Sequence, residues 1–213
     1  MVDVANLKDT LTTLGFVAYG DLYEKSFSEI GCSLEVDFCA QKLIYPNEIK
    51  GRERNDGFDQ KENFVVFECV CRLLSKGYRP EHIELEKEWH LGHDAKSGRA
   101  DICVTDTSGD MLFIIECKTW GREYDKALNN TKSDGAQLFS YWQQEQSCKW
   151  LVLYTSDLRS GCIAYKAPTI DCSDDANIIL LSKKDKSIKL YRDAHTTSAK
   201  YEAWKETYGS QIH

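Results

Sequence analysis

Gly98-Arg99-Ala100-Asp101-Ile102-Cys103-Val104 leads, through a polar turn centred on Ser108-Gly109, into Met111-Leu112-Phe113-Ile114-Ile115-Glu116-Cys117-Lys118. Two apolar runs around a Ser-Gly centre read as a β-hairpin. A two-residue loop at Ser108-Gly109 sets Thr107 opposite Asp110, and the same register sets Asp101 opposite Glu116. Directly opposed residues of an antiparallel pair project to one side of the sheet, and strand alternation adds Lys118 to that side. Two carboxylates and an amine therefore share one patch. The carboxylates repel unless a proton or a cation lies between them, and hard divalent cations such as magnesium take oxygen ligands of this kind.

Glu-x-Lys at a strand end is, by itself, a common solvated ion pair. Three further features favour a catalytic reading: the apolar run up to Glu116, the aspartate in register with it, and the Gly-x-x-Asp lead-in.

The rest of the chain sets bounds on this reading. With 213 residues, of which 42% are hydrophobic, it can bury a sizeable core. A net charge of -7 is unfavourable for gripping nucleic acid unaided, so any basic surface must be local or supplied by another domain. Nine cysteines without a Cys-x-x-Cys pair exclude an evident zinc ribbon or dithiol redox motif, and buried free thiols in a reducing cytoplasm account for them. The first ten residues are too polar for a signal peptide and no apolar run is long enough to span a membrane, so a membrane partner is not expected.

In chain order, residues 2–14 read as a short helix stopped by Gly15, and 27–45 as an extended segment with Leu34, Val36 and Phe38 on one face. Residues 47–58 read as a polar loop with Glu48, Glu53 and Asp56 solvated. Asp59 and Glu62 have the spacing of a capping box that opens a helix ending at Gly77. That helix is apolar nearly all round, which makes Glu68 an anomaly. A salt bridge to a neighbouring Arg or Lys and an active-site role are equally good accounts of it; Glu62 is expected only to serve the cap.

Residues 83–91 read as a strand with a solvated row of glutamates at 84, 86 and 88. His90 and His93 lack a third ligand nearby and are discounted as a metal site. The stretch 119–135 reads as polar connection. A helix over 136–144 places Gln137 and Tyr141, four apart, on one stripe suited to orienting phosphates or catalytic side chains. Residues 150–155, 162–165 and 177–181 read as strands, 187–192 as extended, and 198–208 as a helix. The chain divides on this reading into an N-terminal extension over 1–58 packing on the core, a core over 59–195, and a C-terminal helix over 196–213.

The order of a helix with Glu68, the Asp101 strand, the Glu116-x-Lys118 strand and the Gln137-x-x-x-Tyr141 helix resembles the PD-(D/E)XK nuclease superfamily. With Gly98-x-x-Asp101 it is similar to the RecB-like branch. The segments Glu62-Asn63-Phe64-Val65-Val66-Phe67-Glu68 and Gly135-Ala136-Gln137-Leu138-Phe139-Ser140-Tyr141 are similar to the N-terminal nuclease domain of type I restriction enzyme R subunits and related single-chain restriction–modification proteins. The resemblance covers about residues 40 to 165. Ala100 stands where the superfamily name has proline.

The resemblance implies an α/β, restriction-endonuclease-like fold with a central mixed sheet flanked by helices. It implies a magnesium-dependent endodeoxyribonuclease, with manganese as a substitute ion. Asp101, Glu116 and the backbone carbonyl of Cys117 would hold the ion, Lys118 would position the water or neutralise the transition state, and Glu68, Gln137 and Tyr141 would assist. The implied partners are double-stranded DNA, a downstream motor or methyltransferase domain, and specificity or modification subunits. No Gly-x-x-x-x-Gly-Lys-Ser/Thr loop occurs, so the sequence is expected to be the N-terminal piece of a longer cytoplasmic protein. Two other classes remain open: a catalytically silent nuclease-like fold that docks or couples subunits, and a small-molecule hydrolase. A basic groove built from Arg99, Arg122, Lys126 and Lys132 would favour a polyanion over the latter.

Overall fold

The computed structural model describes residues 2–89, 98–134 and 136–182. His90, His93, the extended segment at 187–192 and the helix at 198–208 lie outside them. The chain is α/β, with a mixed central sheet flanked by helices on both faces, as a restriction-endonuclease-like fold requires.

A short helix, α1 (Leu7–Thr13), precedes an antiparallel meander of β1 (Val17–Tyr19), β2 (Leu22–Phe27), β3 (Cys32–Asp37) and β4 (Lys42–Ile44). The expected extended run over 27–45 is therefore broken twice. Gly31 and Gln41 adopt positive φ (68° and 54°) and turn the chain, while Leu34 and Val36 keep the alternation that was legible and are fully buried. The loop that follows carries a 3-10 turn at Arg52–Arg54; Glu48 and Glu53 are exposed, and Asp56 pairs with Lys42 at 2.7 Å.

The helix α2 (Lys61–Ser75) buries eleven of its residues against both sheets, so the meander and the central sheet share one apolar core with it. No side chain caps it: Gln60 occupies the cap position, and the Asp59 capping box does not form. Its other end is as expected. Gly77 (φ 87°) reverses the chain, and the amides of Gly77 and Tyr78 donate to the carbonyls of Leu74 and Leu73.

The central sheet runs β10 (Thr169–Asp171), β8 (Trp150–Arg159), β7 (Met111–Cys117), β6 (Arg99–Thr105), β5 (Ile83–Glu88), with β9 (Cys162–Lys166) also paired to β8. All contacts are antiparallel except β7 with β8. A parallel pair needs a long crossover, and this one is supplied by α3 (Arg122–Asp134) and α4 (Ala136–Gln144). The polar stretch 119–135 is thus mostly helix. Its polarity hid a buried stripe that includes Tyr124 and Thr131. With α2 on one face and α3 and α4 on the other, every residue of β7 is buried, which accounts for the unbroken apolar run up to Glu116.

The hairpin keeps the expected register by a different turn. Ile102 faces Ile115 and Val104 faces Phe113, but Thr105 faces Met111 across a bulge. Asp106 and Asp110 close a wider loop, in which the Asp106 carboxylate accepts the amides of Ser108 and Asp110 at 2.9 and 3.0 Å.

Two further expectations are corrected. Residues 177–181 are not a strand but part of α5 (Asp175–Ser182), started by Asp174, whose side chain accepts the Ala176 amide at 2.9 Å. Glu86 is not solvated: it is buried with φ 53°, accepts Asn55 at 3.0 Å and pairs with Arg99. All nine cysteines are free thiols. No helix among the described residues is long and apolar enough to cross a membrane.

Candidate functional site

Asp101 lies one residue beyond the point where β6 pairs with β7, so its carboxylate meets the end of β7 and accepts the Cys117 amide at 2.6 Å. Glu116, in register with Leu153 of β8, turns to the α3–α4 face and is almost fully buried. A third carboxylate comes from the first turn of α2. One oxygen each of Glu62, Asp101 and Glu116 lies within 4.8 Å of the others. Sequence reasoning assigned Glu62 to a cap. Its place at the site follows from where α2 begins over the end of β7, which no local pattern reveals.

Lys118 leaves β7 with its amide donating to the Tyr154 carbonyl at 2.9 Å. Its ammonium lies 2.7 Å from Glu116, 2.8 Å from Glu62 and 2.8 Å from the Cys117 carbonyl, so all three of its protons have acceptors. The carbonyl expected as a metal ligand is thus engaged by the lysine.

Electrostatics follow from this crowding. Burial, then the neighbouring Glu116, raises the Asp101 carboxyl well above its ordinary value, and burial also raises Glu116 against the lowering pull of Lys118. Burial by itself would lower the Lys118 ammonium, but Glu116, Asp101 and Glu62 outweigh it and raise the ammonium far above its usual value.

Gln137 and Tyr141 project from α4 as their spacing predicts. The Gln137 amide donates to the Tyr141 hydroxyl. That hydroxyl lies within hydrogen-bond reach of the Arg99 carbonyl and of Glu116 Oε2, the latter at 3.1 Å, and its single proton serves one of them at a time. Tyr141 is fully buried, and burial together with Glu116 keeps its phenol protonated. Its ring stacks on Trp89, with centroids 5.6 Å apart. On another side it touches Gly98, where an added Cβ would stand 2.9 Å from a ring carbon. The Gly-x-x-Asp lead-in is therefore a packing requirement of the tyrosine.

The structure does not bring Glu68 to this cluster. Six residues along α2 from Glu62, it is about 9 Å further along the helix axis. It points at Tyr154, which joins the α2 core, whereas the adjacent Leu153, level with Glu116, joins the opposite one. Arg72 pairs with it at 2.6 Å and the Tyr154 hydroxyl donates to it at 2.6 Å. The salt bridge that was one of the two accounts of this buried acid is therefore present, with Arg72 as its partner.

An open cleft of about 470 Å³ lies over the cluster, lined by Glu62, Glu116, Lys118, Lys126 and Gln137 among others. Of the four basic residues considered from sequence, only Lys126 lines it; Arg99 is paired with Glu86.

The family described as type I restriction enzyme R protein N terminus matches residues 62–169, half of the chain. The chain belongs to that family. The match begins at Glu62 and runs through β9 into β10, so it takes in every residue of the cluster and leaves the β1–β4 meander outside. The family's general fold is PD-(D/E)XK, in agreement with the mixed sheet and its helices. No curated protein matches the chain.

Proposed function

We propose that the chain is a metal-dependent endodeoxyribonuclease domain acting on double-stranded DNA within a restriction enzyme. The observation that carries this reading is the meeting of Glu62, Asp101 and Glu116 within 4.8 Å, with the Lys118 ammonium on two of them and with Glu62, Glu116 and Lys118 lining an open cleft. Membership of the restriction enzyme family supports it.

Three carboxylates, two of which (Asp101 and Glu116) are raised in proton affinity by burial, are an all-oxygen donor set suited to a hard cation such as magnesium or manganese. Glu62, Asp101 and Glu116 would hold it. Bound there, such an ion lowers the pKa of a coordinated water and offsets charge on a scissile phosphate. The protein's own groups do the rest. Lys118, whose ammonium Glu116, Asp101 and Glu62 favour in the metal-free cluster, would act as donor and counter-charge to the phosphate oxygens. Tyr141 and Gln137 hold Glu116 in place from the α4 side, and Gln137 extends into the cleft as a donor for the DNA backbone. The motor or methyltransferase domains and the specificity and modification subunits proposed as partners would bring target recognition and further DNA contacts. That division of labour is compatible with the net charge of -7.

The test is nicking of supercoiled plasmid in magnesium by the wild type beside Asp101→Asn and Lys118→Ala, with manganese binding followed by calorimetry. Metal-dependent nicking lost in both variants supports the reading. Manganese binding that is absent in the wild type, with and without a duplex, would sink it and leave a docking module.

A further inference from the structure

Trp120 stands two residues beyond Lys118, so the two Cα atoms are at most about 7 Å apart. The β8–β9 hairpin brings two cations to its indole. The Arg159 guanidinium carbon is 4.5 Å from the ring centroid and the Lys166 ammonium is 4.6 Å from it. The two charges are therefore no more than about 9 Å apart. Lys166 also lies 5.0 Å from the ring of Tyr124, at the start of α3. Among the described residues, Arg159 pairs with one carboxylate, Asp157, at 3.1 Å. Lys166 makes no ion pair with any described residue. Both cations are exposed, and Trp120 is half-buried.

Two positive heads held at one ring repel each other, and an anion bridging them relieves that repulsion. Guanidinium and ammonium groups both donate charge-assisted hydrogen bonds to phosphate oxygens. The cation–π contacts hold the two long side chains at the ring in advance, which lowers the conformational entropy they lose on binding. This positive corner is unusual in a chain that is acidic overall, and it adjoins the strand end that carries the cleft's lysine.

We propose that Trp120, Arg159 and Lys166 form a contact for a DNA backbone phosphate flanking the scissile one, outside the carboxylate cluster. It rests on the reading of the cleft as a DNA site. Arg159 and Lys166 grip the phosphate, and Trp120 positions them.

Binding of a short labelled duplex to the full chain, measured by fluorescence anisotropy over a series of salt concentrations with calcium replacing magnesium, tests it. Lys166→Ala and Arg159→Ala should each weaken binding several-fold, alike for unrelated duplex sequences, and lower the slope of log affinity against log salt by about 0.9. Manganese binding by Lys166→Ala, measured without DNA, should match the wild type. Trp120→Phe should retain duplex binding better than Trp120→Leu. Affinity and slope unchanged in both cation variants would overturn the contact and leave the nuclease reading standing. Loss of manganese binding alongside duplex binding in Lys166→Ala would place the effect in the carboxylate cluster and overturn it too. A wild-type chain that binds no duplex would overturn the contact, whereas the nuclease reading is decided by manganese binding and plasmid nicking.

Discussion

Glu62 and Lys118, 56 residues apart in the chain, meet at 2.8 Å, where the first turn of α2 crosses the end of β7. This contact makes the carboxylate group threefold, because the hairpin alone supplies only Asp101 and Glu116. It also separates the two glutamates of α2. Glu62→Gln should weaken manganese binding at least about tenfold with little change in melting temperature, since it is half-exposed and caps nothing. Glu68→Gln should do the reverse. It leaves Arg72 without its buried counter-charge, costing about 3 kcal/mol and several degrees of melting temperature, with manganese binding intact. Calorimetry and thermal melts of the two variants side by side check this, and a folded Glu68→Gln that fails to bind manganese would contradict the geometry.

Lys118 acts as a donor that also competes for the ligand oxygens. Lys118→Ala removes the ammonium from Glu62, Glu116 and the Cys117 carbonyl, which frees oxygens for a cation. The variant should bind manganese at least as tightly as the wild type, while plasmid nicking falls by roughly 10²-fold or more. Weaker manganese binding in the variant would mean that the lysine organises the carboxylates instead of competing for them.

How much of this was legible follows from the range of each signal. Asp101 opposite Glu116 was readable because a strand has period two, and the wider Asp106 loop with its bulge restores the same register. Gln137 and Tyr141 were readable because four residues make one helical stripe. Glu62 was not, since its partners come from another element and its own surroundings fit a cap equally well. Glu68 could have been read better: Arg72 lies one helical turn on, and a buried acid with a cation at that spacing is satisfied locally. The helix α3 was hidden by its polarity, yet the parallel pairing of β7 with β8 demanded a crossover of that length. The apolar run at 177–181 fits strand or helix alike, and Asp174 ahead of it was the deciding signal.

The crowded carboxylates should show in the pH dependence of stability. Burial and Glu116 raise the folded-state pKa of Asp101 above its unfolded value near 4, so the metal-free fold favours the protonated acid. The stability that proton contributes is complete below about pH 4 and is lost as pH rises through the raised folded value. Asp101→Asn is neutral at every pH, so without metal it should melt several degrees above the wild type at pH 8. The gap should narrow as pH falls. Manganese should raise the wild-type melting temperature at pH 8 and leave the variant unmoved. Melting curves across this range, with and without manganese, decide it; a variant less stable than the wild type at pH 8 without metal would refute the repulsion.

Gly98 should act on the site through Tyr141. A methyl at Gly98 would stand 2.9 Å from one carbon of the tyrosine ring and 3.1 Å from the next, and Trp89 stacked on the ring limits its retreat. Gly98→Ala should therefore cost about 1–3 kcal/mol through overpacking and displace the hydroxyl from Glu116 Oε2, which it reaches at 3.1 Å. Both stability and manganese affinity should fall. The two effects separate in the double variant. Tyr141→Leu makes room for the methyl, so Gly98→Ala should cost less in that background than in the wild type, a coupling of roughly 1 kcal/mol or more. Manganese affinity should stay low, because leucine offers Glu116 no hydroxyl. Additive stability losses in the double variant would show that Gly98 is needed for some reason other than the tyrosine.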